Sequence, residues 1–183
     1  MILNTICGKS VKIRSVEKSD TEFTLSLRKE LSISKYIPML DIDIETQKKW
    51  ISDQIESDDS YFIIIERLSG EKIGVFSIYD ICEGNAQTGR LIMKGNQIET
   101  IETMMLSHDY AFNVIKINEL YSMIYEDNIP ASGLARQLGA VKAENFIYDK
   151  EKDKKIYKWT ITKDIYFSYR PKIEKLVNRF AVR

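Results

Sequence analysis

Apolar positions along the chain repeat with two periods, and the switches between them mark the elements. Residues 11–16 alternate and read as a first strand. Lys18-Ser-Asp20 opens a helix through Phe23 and Leu27 toward Leu31, with Ser19 or Asp20 placed to cap it. Residues 31–40 carry no period and hold Tyr36, Pro38 and Met39. Asp43 caps a second helix with Ile44, Gln47, Ile51 and Ile55 on one side. Residues 61–65 form a nearly continuous apolar strand. Turns at Ser69-Gly70 and Glu83-Gly84-Asn85 bound a strand over 72–81 and lead into a central strand over 87–93. A helix over about 98–112 places Ile101, Met104, Met105, His108, Ala111 and Phe112 at spacings of three, four and seven. Then come a strand at 119–125, a short helix at 129–138, a hairpin of 141–148 with 155–162, and a final amphipathic helix at 163–180. Pro130 stands in the first turn of the short helix and Gly139 at its stop.

That order is β, α, α, three antiparallel strands, α, β, α, β, β. It predicts an α+β domain over 1–183, with a mixed, mostly antiparallel sheet flanked by helices. The chain of 183 residues suits one sizeable core. Lys plus Arg and Asp plus Glu balance at 27 each, so no global field favours nucleic acid or an anionic membrane. No signal-peptide pattern is visible, and no apolar run approaches the roughly 18 residues that span a bilayer. A cytoplasmic protein is the expectation. Cys7, Cys82 and a single His form neither a metal spacing nor a disulfide framework.

The stretch from Thr88 to Asn128 concentrates the candidate chemistry. Lys94-Gly95-Asn96 breaks the central strand, and the helix behind it opens near Gln97 or Ile98. The backbone N–H groups of Ile98, Glu99, Thr100 and Ile101, with the positive end of the helix dipole, make a ready anion site. The bland alternative is an ordinary strand-turn-helix packed on a sheet. Further on, Asn128 precedes Pro130 and is a favoured cap for its helix.

Strand, glycine-bearing turn, helix, strand and Asn resemble the acetyl-coenzyme A half of GNAT-type N-acetyltransferases, and the similarity of element order runs from about residue 10 to 165. Asn128-Ile-Pro-Ala131-Ser-Gly-Leu134-Ala-Arg-Gln-Leu138-Gly139-Ala140 resembles the family pattern N-x-x-A/S-x-x-L/F-Y/E-x-x-x-G-F. The segment Ile156-Tyr-Lys-Trp-Thr-Ile-Thr-Lys is similar to the last strand of the ribosomal-protein subgroup. Leu27-Arg28, Tyr36-Ile-Pro-Met39, Ile44-Glu-Thr-Gln-Lys-Lys-Trp50-Ile51 and Gly89-Arg-Leu-Ile-Met-Lys-Gly-Asn resemble PseH-type nucleotide-sugar N-acetyltransferases.

The resemblance implies acetyl-CoA as co-substrate, lying along Ile92, Met93 and Lys94 with its phosphates at residues 98 to 101. The backbone near Met93 would supply an N–H donor to the thioester carbonyl oxygen, and Asn128 would position the pantetheine arm. At the phosphate loop the family's glycine positions fall near Asn96, Ile98 and Thr100. The family's general acid falls on Ala135, or in another subgroup on Ala131 beside Ser132. Glu83, Asp80, Tyr79, Tyr125 and His108 are the alternatives, with His108 reading as structural from its place near an apolar stripe. The implied acceptor is a small-molecule amine on a UDP- or dTDP-linked deoxysugar bound for surface glycans. Arg28 would meet its phosphate while Tyr36 and Met39 cover the sugar. Core packing is the plain alternative for Tyr36, Met39 and Trp50. Other acceptors remain: a protein N-terminus, another small amine, or none, in a catalytically degenerate acetyl-CoA-binding domain. Open edge strands leave room for a homodimer.

Overall fold

The computed structural model describes residues 3–30, 36–37 and 42–181. The strands are β1 Ile6–Cys7, β2 Val11–Ser15, β3 Tyr61–Arg67, β4 Lys72–Cys82, β5 Asn85–Met93, β6 Glu119–Tyr125, β7 Val141–Asp149 and β8 Lys154–Thr162. The α-helices among the described residues are α1 Thr21–Lys29, α2 Ile44–Glu56, α3 Gln97–Tyr110, α4 Ile129–Leu138 and α5 Lys163–Phe180. The strands form one sheet in the order β1-β2-β3-β4-β5-β6-β8-β7. Every neighbouring pair is antiparallel except β5 with β6. This is the mixed α+β architecture that the pattern predicts.

Strand alternation divides the core between the two faces of the sheet. From β3, Tyr61, Ile63 and Ile65 pack with α3 and α5 through Ile101, Met105, Tyr166 and Ile173. Phe62 and Ile64 point the other way, to Leu27 of α1 and Ile51 of α2. Both faces are therefore covered at β3, which explains its unbroken apolar run. The Tyr166 hydroxyl ties α5 to α3 by donating to the Met105 carbonyl at 3.0 Å and to Asp109 at 2.8 Å.

Several local details differ from the sequence reading. The short strand β1 has no pattern of its own and is held by antiparallel pairing with β2. A 3-10 turn, Lys18–Asp20, precedes α1. Asp20 stands at the N-cap without capping through its side chain. Its buried carboxylate instead pairs with Arg14 at 2.8 Å and Lys72 at 2.6 Å and accepts from the Glu17 N–H. Two cations outweigh one amide as partners for a buried charge. The helix expected to end at Phe112 leaves α geometry after Tyr110, in a π-type turn over Ala111–Ile115 closed by Lys116 at φ +66°. Leu31, Pro38 and Met39 lie outside the described residues.

Candidate functional site

The sheet opens between β5 and β6. Asn85, Ala86 and Gln87 pair in parallel with Glu119, Leu120 and Tyr121, and there the ladder stops. From Thr88 and Ser122 onward the strands diverge, leaving the facing main-chain edges without a strand partner. Such edges invite an extended, amide-bearing chain to pair with them. A bulge on β5 sits beside the fork. Val75 pairs with Ile92 while Ser77 pairs with Gly89, so β5 holds one more residue than β4. Arg90 takes the strain at φ +55°, a conformation that favours glycine.

The divergence leaves a cleft of about 1090 Å³. Its first wall is β5 from Thr88 to Leu91 with Met93, the turn at Gly95, and one face of α3 carrying Gln97, Thr100, Ile101, Met104 and His108. Its second wall is β6 from Ser122 to Tyr125, with Asp127, Asn128 and the inner face of α4. Tyr36 and Ile37 stand over the mouth. A smaller cavity of about 450 Å³ lies near the N-terminus, beside Arg14, Gln54 and Phe62. There Arg14 is already paired with Asp20 and Glu66.

At one end of the cleft the turn before α3 corrects the expected anion site. Asn96 is the N-cap, and its side-chain oxygen accepts from the N–H groups of Ile98 and Glu99, both at 2.9 Å. The Thr100 N–H bonds the Asn96 carbonyl at 3.0 Å. The amides named from the sequence are thus already engaged, because Asn96 and Glu99 form a capping box. The Gly95 and Gln97 N–H groups carry no acceptor among the described residues, and both residues line the cleft. Glu99 does not oppose an anion here. Its carboxylate accepts from the Asn96 N–H and from Arg67 at 2.7 Å, and Arg67 foremost holds it below the usual carboxylate range.

The other predicted residues scatter. Met93, Thr100, Ile101, Asn128 and Tyr36 line the cleft; Ile92, Lys94, Ile98, Glu99 and Arg28 do not. Ile92 points to the α1–α2 face, and Lys94 pairs with Glu30 at 2.6 Å. Asn128 caps α4 through the Ala131 N–H at 3.2 Å while lining the cleft, so its two readings coexist. Ala131 and Ala135 line the cleft and bring no ionisable group. Ser132 turns back to the Ile129 carbonyl. Of the alternative acids, Glu83, Asp80 and Tyr79 are not on the cleft wall, whereas Tyr125 and His108 are. Tyr125 donates to Asp149 at 2.7 Å, and burial with that bond pushes it up to about 12. Burial pushes His108 down to about 4, so it stays neutral near pH 7.

Sequence reasoning assigned no role to Arg90, although it quoted the segment that holds it. Arg90 lines the cleft, with its guanidinium carbon 4.1 Å from the Tyr79 ring centre and 5.6 Å from that of Trp50. Arg28 lies over the same Trp50 at 5.4 Å. Among the described residues neither arginine pairs with a carboxylate; Arg90 donates a hydrogen bond to the Gln54 side-chain oxygen at 3.3 Å. Burial, then the charge of Arg90, lowers the Arg28 pKa from its ordinary value.

The arrangement suits acyl transfer. It combines free amides at a helix N-terminus for an anion, an open strand edge for an extended arm, and small side chains on α4 beside the fork. Among solved structures, apo FdhC, described as a nucleotide-linked sugar GNAT, is similar over 97% of this chain and 98% of its own, with TM-score 0.77 and 22% identity. The spermidine N-acetyltransferase of Vibrio cholerae, in complex with CoA and spermine, is similar over 87% of this chain and 99% of its own, with TM-score 0.80 and 15% identity. A GCN5-related N-acetyltransferase from Brucella melitensis gives TM-score 0.79 at 13% identity, over 95% and 85%. At these identities the likeness concerns the fold. Among the curated proteins no sequence matches the chain. Residues 10–141 match the family model described as acetyltransferase (GNAT) domain. The open fork between β5 and β6, the capped turn before α3 and this match make the chain a member of the GNAT acetyltransferases, N-acetyltransferases whose co-substrate is acetyl-CoA.

Proposed function

We propose that this enzyme acetylates the amino group of a nucleotide-linked amino-deoxysugar, in the cytoplasm and toward surface-glycan synthesis. The carrying observation is the pair Arg28 and Arg90 on Trp50, with Arg90 on the cleft wall and Arg28 behind it, unpaired with any carboxylate among the described residues. Two neighbouring cations repel, and a phosphate bridging them relieves that repulsion through charge-assisted bonds. The carboxylates nearby are already occupied. Asp127 pairs with Lys154 at 2.7 Å, and Asp149 accepts from Tyr125. A polycationic amine would meet the arginines, and among the described residues Asp127, already paired with Lys154, is the carboxylate that lines the cleft. Tyr36 and Tyr125, stacked at 6.2 Å, would cover the sugar face. The nucleotide-linked sugar relative supports this class, while the spermidine enzyme marks the competing one.

In this reading Gly95 and Gln97 hold the cofactor phosphates by their N–H groups, and Asn128 positions the pantetheine arm. Bound acetyl-CoA supplies the thioester. The amine must arrive neutral, and the departing thiolate takes its proton by way of water, because the acid positions on α4 are Ala131 and Ala135. A specific observation favours a second reading: the missing acid on Ala131 and Ala135 suits a cofactor-binding domain with little turnover. The exposed Val141, Phe146, Ile147 and Tyr148 on edge strand β7 support pairing with a second copy.

The test is a thiol-release assay across acceptors. A UDP- or dTDP-linked 4-amino-4,6-dideoxysugar should turn over faster than spermidine or peptides. Arg90→Met should raise its KM by about tenfold or more, as loss of a bond between charged groups does. Preference for spermidine or a peptide N-terminus sinks the sugar assignment. Cofactor binding without turnover on any amine favours the second reading.

A further inference from the structure

Among the described residues of the cleft wall, Arg90 alone has left-handed backbone, at φ +55°. A non-glycine residue keeps that conformation only where its surroundings fix it, and such strain gathers at functional positions. The nearest ring that fixes Arg90 is Tyr79 of β4. Its centre lies 4.1 Å from the guanidinium carbon, against 5.6 Å for Trp50, and the bond to Gln54 is long at 3.3 Å. Tyr79 is itself held on two sides. It pairs across the ladder with Gln87, whose side-chain N–H donates to its hydroxyl at 2.6 Å. A Cβ on Gly89 would stand 3.1 Å from the same oxygen. Gly89 takes no left-handed φ, so the close approach of Tyr79, and not the backbone, calls for glycine there. Burial pushes the Tyr79 phenol above its ordinary value against the opposing charge of Arg90, so the ring stays neutral near pH 7 and leaves that charge uncompensated.

We propose that Tyr79 is a positioning residue for the acceptor: held by Gln87 and given room by Gly89, its ring aims the Arg90 guanidinium at the acceptor's phosphate. The proposal rests on the nucleotide-sugar reading, in which Arg90 meets that phosphate. A free arginine side chain samples many rotamers, and holding it in one before binding removes that cost from the binding step. A carboxylate at this place would also hold Arg90, but it would occupy the N–H groups that an anion needs. A ring takes only the face of the guanidinium and leaves the edge N–H groups free for a phosphate. Tyr79 does not line the cleft, so it acts through Arg90 and not on the reacting atoms. Its effect belongs to the acceptor, because the cofactor's amides at Gly95 and Gln97 lie on the turn before α3.

Steady-state kinetics on the whole protein, with acetyl-CoA and the UDP- or dTDP-linked 4-amino-4,6-dideoxysugar, test it. Tyr79→Leu should raise the sugar KM about fivefold, as loss of a partly buried cation–π contact does, and leave the acetyl-CoA KM and kcat within about twofold. Tyr79→Phe keeps the ring and should hold the sugar KM within about twofold of wild type. In an Arg90→Met background Tyr79→Leu should add nothing, because its effect passes through Arg90. Arg90→Lys keeps the charge without a plane to stack and should raise the sugar KM about as far as Tyr79→Leu. An unchanged sugar KM in Tyr79→Leu overturns the proposal. So does an equal rise in Tyr79→Phe, or a second rise of the same size in the Arg90→Met background. Should Tyr79→Leu not fold, a wild-type sugar KM in Arg90→Lys overturns it and a raised one upholds it. If the wild type acetylates no nucleotide sugar, the nucleotide-sugar reading and this proposal fall together. If it does, and Arg90→Met raises the KM while Tyr79→Leu does not, only this proposal falls.

Discussion

Strand pairs β3/β4 and β5/β6 belong to one sheet and were put to opposite uses. The β3/β4 ladder keeps antiparallel register from Tyr61 with Ile78 to Ile65 with Gly74 and shifts by one residue only at its end, where Glu66 pairs with Lys72, and side chains bury both of its faces. The β5/β6 ladder closes three residue pairs and then opens. In the first, the strands stay paired along nearly their whole length, and the pair contributes stability. In the second, partners are withheld along several residues, and the unsatisfied edge is what can bind. The contrast extends to the side chains. Isoleucines fill β3, whereas Thr88, Gly89, Arg90, Ser122 and Tyr125 line the fork.

Truncation should separate the two pairs most strongly. Ile64 is fully buried, so Ile64→Ala should cost about 2–5 kcal/mol in urea unfolding. Met123 lines the open cleft and is only partly buried, so Met123→Ala should cost less than about 1 kcal/mol and register mainly in ligand binding. Equal losses of stability would erase the distinction.

Acid should act next, on the ring buried beneath the open pair. His108 falls from 6.5 in the unfolded chain to about 4 in the folded one. Protons thus bind the unfolded chain first. This stability is whole above about pH 6.5 and is lost as pH falls toward 4. A shift of 2.5 units corresponds to about 3 kcal/mol. His108→Gln should flatten unfolding free energy across that window. The buried carboxylates Asp20 and Glu99 are held down by their cations and act at lower pH, below their ordinary 3.8 and 4.5. An unchanged slope in His108→Gln would contradict the assignment.

A smaller effect is expected at the rim. Asn96→Ala removes the acceptor for two amides at the start of α3 and should cost about 1 kcal/mol. Because the same turn presents the Gly95 and Gln97 amides, CoA affinity should weaken with it. Thermal unfolding with and without CoA reads both changes together.

The helices were legible where their chemistry is local. Asn128, Pro130 and Gly139 delimit α4, and Gly139 takes the left-handed stop at φ +98° that a glycine there permits. The order of elements along the chain and the place of Asn128 followed from the resemblance and from hydrophobic period. What stayed hidden depends on partners distant in sequence. Asp20 looked like a cap, and Arg14 with Lys72 made it a buried counter-charge. Glu99 is a carboxylate in the first turn of a helix that offers an anion site, and Arg67, which lies 32 residues earlier, neutralises it. Arg90 departs from strand geometry without a glycine to signal it, so neither the bulge nor the arginine pair on Trp50 could be read from spacing. Tyr36 lines the cleft, while Met39 lies outside the described residues.

The comparison of the two strand pairs is tested most directly by amide hydrogen exchange with and without CoA. Amides of Thr88 through Met93 and Ser122 through Tyr125 should gain protection when CoA binds, because the cofactor arm then lies against edges that lacked a strand partner. Amides of β3 should exchange at unchanged rates. Protection confined to other strands, or a fork that exchanges equally fast with saturating CoA, would contradict the assignment of the opened β5/β6 pair as the cofactor site.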